Sequence, residues 1–348
     1  MRFGIFILLL GVSFPASFLN AQRQMHVVSS VRLPEVWKKM GWGDLRASCR
    51  ENGDFIVRLV PESHDLPHDI VRIGGNGSML AHFDLRGIPG FENGVILDVS
   101  LNSAGAMVLF ASKIISTESQ PHLPASMAPP SGGWSFRMDP TRSVLSVDDS
   151  GSVLSKFSFD QRIVTGLGFA LFRSGNVVVT GIHYEGQHNE LSRPGALIFS
   201  PTGAIQANLE LPFTPKRAPL AEPLGLIAGG GDEVFLVHQG TEPYLLKVSA
   251  DGAVGPKVML AVPKDERVRV EKIDGHHALA SVAQAQRIHG VWKTPQWVPK
   301  ALFDTESGAL LETLLVPSGD EHIVCYSESE MTALQSPKGT LDSLLEDK

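Results

Sequence analysis

The chain has 348 residues, among them 34 Gly, 23 Pro and two Cys, with 19% charged residues and a formal net charge of -7. Its length and even glycine content suit one large turn-rich domain. The acidic balance, without a run of Lys and Arg, argues against a nucleic-acid partner, and two cysteines rule out a disulfide framework.

The N-terminal segment from Met1 to Ala21 carries one basic residue, Arg2, then an apolar stretch from Phe3 to Val12, Pro15 and small residues up to Ala21. This is the pattern of a cleaved secretory signal. The apolar stretch is shorter than the roughly 20 residues that a membrane span needs. The expectation is therefore export to the periplasm or the exterior with no span left after cleavage, and a single domain over residues 22–348.

Beyond the signal, two glycine series alternate at intervals of about fifty residues, flanked by alternating or continuous apolar runs. The first is Gly53, Gly105, Gly175, Gly231, Gly275 and Gly319; the second is Gly77, Gly151, Gly203, Gly252, Gly308 and Gly339. Two hairpins per period that cannot bury their own faces predict a radial stack of four-stranded antiparallel sheets, an all-β propeller of six blades. With the first series as a–b turns and the second as c–d turns, the blades run over 44–85, 95–160, 166–211, 222–260, 266–315 and 316–339. The segment His26–Pro34 ends like the d strands and is expected to join the last blade, closing the ring and removing an open sheet edge. The final stretch Thr340–Lys348 reads as a short amphipathic tail. Cys49 and Cys325 fall in the first and last repeats, either bridged across the closure or present as two small buried hydrophobes.

Gly168-Phe169-Ala170-Leu171, followed by Gly175-Asn176 and Val177-Val178-Val179-Thr180, resembles the core of an NHL-type repeat, and residues 230–252 resemble a neighbouring repeat of the same class. The Asp of that pattern is replaced by Phe172 here and by Asn102 in the second repeat. The resemblance implies a six-bladed architecture and brings no catalytic residue with it.

A propeller opens its a–b and c–d turns on one rim and its b–c and d–a connections on the other. The turns here are tight, whereas the b–c connections at 116–142, 183–194 and 287–299 and the d–a connections at 86–93 and 212–223 are long. Long loops on a rigid scaffold are where binding usually resides. The candidate ligand-binding residues on that rim are Trp134 and Arg137 in the first connection, His183, Tyr184, His188 and Arg193 in the second, and Trp292 and Trp297 in the third. Aromatic rings and guanidinium groups are the side chains that most often anchor a partner. The expected function is binding of an envelope or extracellular protein or glycan, without a cofactor.

Two alternatives stand beside it. Asp44, Glu222 and Glu266 each lie nine residues before an a–b glycine, where strand a enters near the axis, and converging carboxylates suit a divalent metal ion. That arrangement resembles the gluconolactonase-like propellers and implies a metal-dependent lactonase-like hydrolase. No Gly-x-Ser-x-Gly elbow or phosphate-cradling loop is present. The other alternative is a structural module with no specific ligand.

Overall fold

The structure of the protein, a computed structural model, describes residues 22–32, 40–49, 53–61, 68–119, 134–139, 141–160, 165–185, 191–211, 225–229, 232–239, 242–262, 267–283, 297–317, 322–326, 330–335 and 340–346. Within these residues the regular secondary structure is strand, apart from a 3-10 turn at Leu85–Gly87. Strand β1 spans Gln22–Arg32. The first sheet takes β2 (Met40–Cys49), β3 (Phe55–Pro61), β4 (Asp69–Ile73) and β5 (Met79–Asp84) in sequence order. The second uses β6 (Gly94–Leu101), β7 (Met107–Ser119), β8 (Trp134–Met138), β9 (Thr141–Val147) and β10 (Val153–Asp160), with β8 paired to the far half of β7. The third holds β11 (Thr165–Leu171), β12 (Val177–Glu185), β13 (Leu191–Phe199) and β14 (Ile205–Glu210). The fourth holds β15 (Gly225–Ala228), β16 (Glu233–His238), β17 (Tyr244–Ser249) and β18 (Val254–Met259).

The fifth sheet contains β19 (Arg267–Asp274), β20 (His277–Ala283), β21 (Trp297–Asp304) and β22 (Leu310–Pro317), then continues through β1 to three further strands. These are β23 (His322–Tyr326), β24 (Glu330–Gln335) and β25 (Thr340–Glu346), lying in the order β1, β25, β24, β23. The architecture is an all-β propeller of antiparallel sheets built on four strands.

Five sheets form, not the six blades expected. The reason lies in β1, whose Gln22–Gln24 pair in parallel with Thr313–Leu315 of β22 while its remainder pairs antiparallel with β25. That double pairing merges the C-terminal strands with the fifth sheet into one eight-stranded sheet. The same region corrects two turn assignments. Gly319 lies between β22 and β23, and Gly339 between β24 and β25, so neither makes the hairpin assigned to it. The segment read as an amphipathic tail is strand β25. Hydrogen-bonding edges on both sides, from β1 and β24, override its local pattern and bury Leu344 completely.

The other turn glycines behave as their spacing requires. All nine of the two series that fall among the described residues have positive φ, from 52° at Gly275 to 89° at Gly252, a region that L residues with a Cβ rarely enter. The second series carries an additional constraint from stacking. A Cβ on Gly203 would sit 2.5 Å from the Phe157 Cβ, one on Gly252 would sit 2.6 Å from the Ala207 Cβ, and one on Gly308 would overlap the Met259 carbonyl oxygen. In each case the neighbour belongs to the outermost strand of the preceding sheet.

The core follows from the period of a strand. Successive side chains point to opposite faces, and in a stacked sheet both faces meet another sheet. Val234 and Leu236 pack toward Ile198 and Val178 of the third sheet, while Phe235 and Val237 pack toward Val268 and Ala280 of the fifth. This explains why inner strands read as continuous apolar runs rather than alternating ones. The outermost strands, such as β18, are largely exposed.

Candidate binding rim and a histidine-aspartate cluster

The b–c connections are partly ribbon rather than loop. Strand β7 runs on to Ser119, with Arg137 opposite Ser116 and Trp134 opposite Ser119. Strands β12 and β13 continue to Glu185 and Leu191, with His183 opposite Arg193 and Tyr184 opposite Ser192. Backbone pairing thus carries Trp134, Arg137, His183, Tyr184 and Arg193 out on β-ribbons from the b–c ends of adjacent sheets. Trp297 opens β21 at the b–c end of the fifth sheet, opposite Pro317. It is half-buried, and its ring meets His26 of β1 edge-on, with centroids 6.0 Å apart. His188 and Trp292 lie outside the described residues.

Of the pore set, Asp44 falls in β2, where the pairing register with β3 slips between Gly41 and Arg46. Glu222 and Glu266 lie outside the described residues, so the described structure brings no pore carboxylates together.

The same rim carries a cluster that lies outside the long connections. His68 precedes β4 and Asp84 ends β5, so both stand at the b–c and d–a end of the first sheet. Asp69 lies directly opposite Asp84, and His82 opposite Val71, placing three polar side chains on one face of the hairpin. His68 Nε2 is 3.8 Å from Asp69 Oδ2 and 3.9 Å from Asp84 Oδ2, and His82 Nε2 is 3.7 Å from Asp69 Oδ1.

Local structure fixes these groups. The Leu85 amide donates to the His68 carbonyl at 2.8 Å, tying the entry of β4 to the 3-10 turn after β5. Asp84 caps that turn by accepting from the Arg86 amide at 2.8 Å, and its Oδ2 accepts from Arg86 Nη2 at 2.6 Å. Burial opposes ionisation of Asp84, but the hydrogen bonds from Arg86 outweigh it and hold the carboxyl below its usual range. His68 is buried, with 10% of its side chain exposed, whereas Asp69, Asp84 and His82 reach solvent at 22%, 35% and 38%. The signal was present in the sequence: counting outward from the Gly77 turn puts Asp69 across from Asp84.

On the turn rim the polar contacts connect neighbouring sheets. Arg72, 8% exposed, donates from Nη1 to Asp149 Oδ1 at 2.7 Å and to the Gly105 carbonyl at 3.1 Å, and from Nη2 to Asp54 Oδ2 at 3.1 Å. Near mid-sheet, the buried Lys300 Nζ lies 2.8 Å from Glu271 Oε2 and 2.7 Å from Ser281 Oγ, joining three strands of the fifth sheet. Cys49 at the end of β2 and Cys325 in β23 are free thiols that hydrogen-bond to each other. A hydrogen bond with Cys325 and, beyond the opposing effect of burial, the nearby Lys272 charge lower the Cys49 thiol to about 7.

No family model matches the chain, and no curated protein matches it in sequence. Solved structures do resemble it. A Dyadobacter fermentans protein of unknown function is 11% identical, with a TM-score of 0.54 over 93% of this chain and 99% of that one. A duf4221 family member from Bacteroides vulgatus is 8% identical, with a TM-score of 0.48 over 93% and 97%. A luciferin-regenerating enzyme is 9% identical, with a TM-score of 0.45 over 92% and 96%. At these identities the likeness concerns fold alone, and it does not confirm the NHL family. By its architecture the chain is a β-propeller, similar in fold to a solved structure over 93% of its length.

Proposed function

We propose that this chain is an exported propeller that binds a protein or glycan ligand on the rim formed by its b–c and d–a connections. The observation that carries this reading is the projection of two β-ribbons, β7–β8 and β12–β13, from that rim. They bear Trp134, Arg137, His183, Tyr184 and Arg193 at the positions where their strands pass beyond the inner strand of each sheet. Aromatic and guanidinium side chains on a braced ribbon lose less entropy on binding than the same groups on a free loop. Export rests on the signal pattern at residues 1–21, and contact of the first sheet with the last at Cys49 and Cys325 supports a closed ring.

The test combines substitution with a defined ligand panel. The variant with Trp134, Arg137, Tyr184 and Arg193 all changed to Ala is compared with the parent on a glycan array and against candidate envelope proteins. Loss of a ligand of the parent with an unchanged melting temperature supports the reading. A parent that binds no member of either panel, or a variant that keeps every ligand, favours a structural module.

A further inference from the structure

We propose that His68, Asp69 and Asp84 form a binding site for a divalent first-row transition-metal ion, zinc fitting best, with His82 as an outer partner. The site is independent of the ribbon ligand proposed above.

Three observations lead to it. One donor atom from each of His68, Asp69 and Asp84 lies within 4.8 Å of the others. Two ligand atoms of a tetrahedral zinc, each about 2.0–2.2 Å from the ion, stand roughly 3.4 Å apart. The observed 3.8 and 3.9 Å separations from the imidazole therefore close onto an ion with small side-chain rotations.

Charge gives the second observation. Asp69 and Asp84 face each other directly across an antiparallel pair, an arrangement that like charges destabilise. Arg86 answers part of this, but it binds Asp84 and is itself 46% exposed, so solvent screens it. A divalent ion between the two carboxylates converts the repulsion into attraction for both.

The third observation is the donor chemistry. Imidazole with carboxylate suits zinc and its neighbours, whereas calcium and magnesium prefer oxygen alone. Arg86 on Asp84 and His82 on Asp69 occupy the positions of outer-shell groups that orient metal ligands. Three protein ligands with partial solvent access leave a fourth position for water or an incoming donor.

The test uses the purified chain after chelation and dialysis. Cobalt(II) is titrated in and followed by visible absorption, with zinc as competitor and bound metal counted by elemental analysis. The expected result is one cobalt per chain, the intense visible bands of a tetrahedral N/O site, and their loss on adding one equivalent of zinc. His68→Ala and Asp69→Asn each abolish the bands while circular dichroism remains that of the parent. His276→Ala, at an exposed turn on the other rim, leaves binding unchanged. Absence of stoichiometric uptake by the parent overturns the proposal. So does uptake that survives in folded His68→Ala and Asp69→Asn, since it would place the metal elsewhere.

Discussion

The two rims of the propeller are built on opposite rules. On the turn rim the chain reverses within a few residues, the glycines sit in left-handed backbone, and neighbouring sheets are tied by direct polar contacts. Beyond Arg72, the Ser174 amide donates to Asp232 Oδ1 at 3.1 Å and the Gly275 amide to the Gly229 carbonyl at 3.2 Å. On the other rim the connections lengthen into ribbons, and ionisable groups collect at the end of the first sheet. One rim holds the sheets in place, which leaves the other free to vary in sequence and to carry ligands.

The sharpest way to break this comparison is to insert a methyl group where two sheets touch. Gly308→Ala forces a Cβ into the Met259 carbonyl at φ 71°, so backbone in the fourth or fifth sheet must move. The expected cost is about 3 kcal/mol or more, in the range reserved for overpacking combined with backbone strain. Gly275→Ala has nothing within 4 Å of the new Cβ and is expected to lose only about 1 kcal/mol through its positive φ. Urea denaturation of both variants checks the contrast. Equal losses would show that turn conformation alone, and not sheet contact, sets the requirement for glycine.

Removing Arg72 comes next. Burial alone disfavours its charge, and the hydrogen bonds with Asp149 and Asp54 more than offset this, raising its pKa. Because Asp149 is 55% exposed, solvent screens part of the pairing, and Arg72→Ala is expected to cost about 2 kcal/mol. The same denaturation experiment reads it. Ligand or cobalt binding on the opposite rim should not change beyond the loss of stability.

Most of this was legible in the glycines. Their spacing locates the hairpins from β2 to β22 because a left-handed turn residue is required wherever a hairpin is this tight, and the apolar runs between them follow from burial on both faces. The C-terminal region was not legible in the same way. There the glycine period continues through Gly319 and Gly339 while the strands fall out of step with it, and the pairing of β1 depends on a contact between the two chain ends that local pattern does not encode. The ribbons look like loops in sequence because Ser116–Ser119 lacks a strong strand signature, and only its partner Trp134–Met138 supplies one across the hairpin. The residues of the His68 cluster stand at strand ends, where pairing and not loop length brings them together, so the long connections do not point to it.

The hydrogen-bonded thiols of Cys49 and Cys325 are placed to form a covalent bridge. Oxidation by a disulfide such as glutathione disulfide removes two thiol protons and two electrons, reduces the oxidant to two thiols, and leaves an S–S bond between the first sheet and the last strands. The expected product is an intramolecular bridge, seen as a mass loss of about two hydrogens and no dimer. Its stabilisation is about 2 kcal/mol, at the low end of the usual range for a bridge that restricts the unfolded chain. Cys325→Ser removes the effect. Intermolecular dimers, or no bridge at all, would show that the two ends do not meet in solution and leave the turn rim interrupted at that point.

The smallest expected effect is that of acid, and it separates the rims by chemistry. Asp148 and Asp304 open c–d turns and Asp251 lies within one, and hydrogen bonds from Ser150, Ser307 and Ser249 respectively, together with backbone amides, hold each carboxyl below its usual range. A carboxyl with a depressed pKa in the folded state contributes stability above its unfolded value, about 3.9, and loses it as pH falls through the folded value. The melting temperature is therefore expected to be flat with respect to these groups from pH 7 to about 5 and to decline below about 4. Replacing all three with Asn, which still accepts a hydrogen bond but does not titrate, should flatten that decline. If the acid limb is the same in the triple variant, the turn aspartates are spectators, and acid acts instead through groups such as Asp84 on the opposite rim.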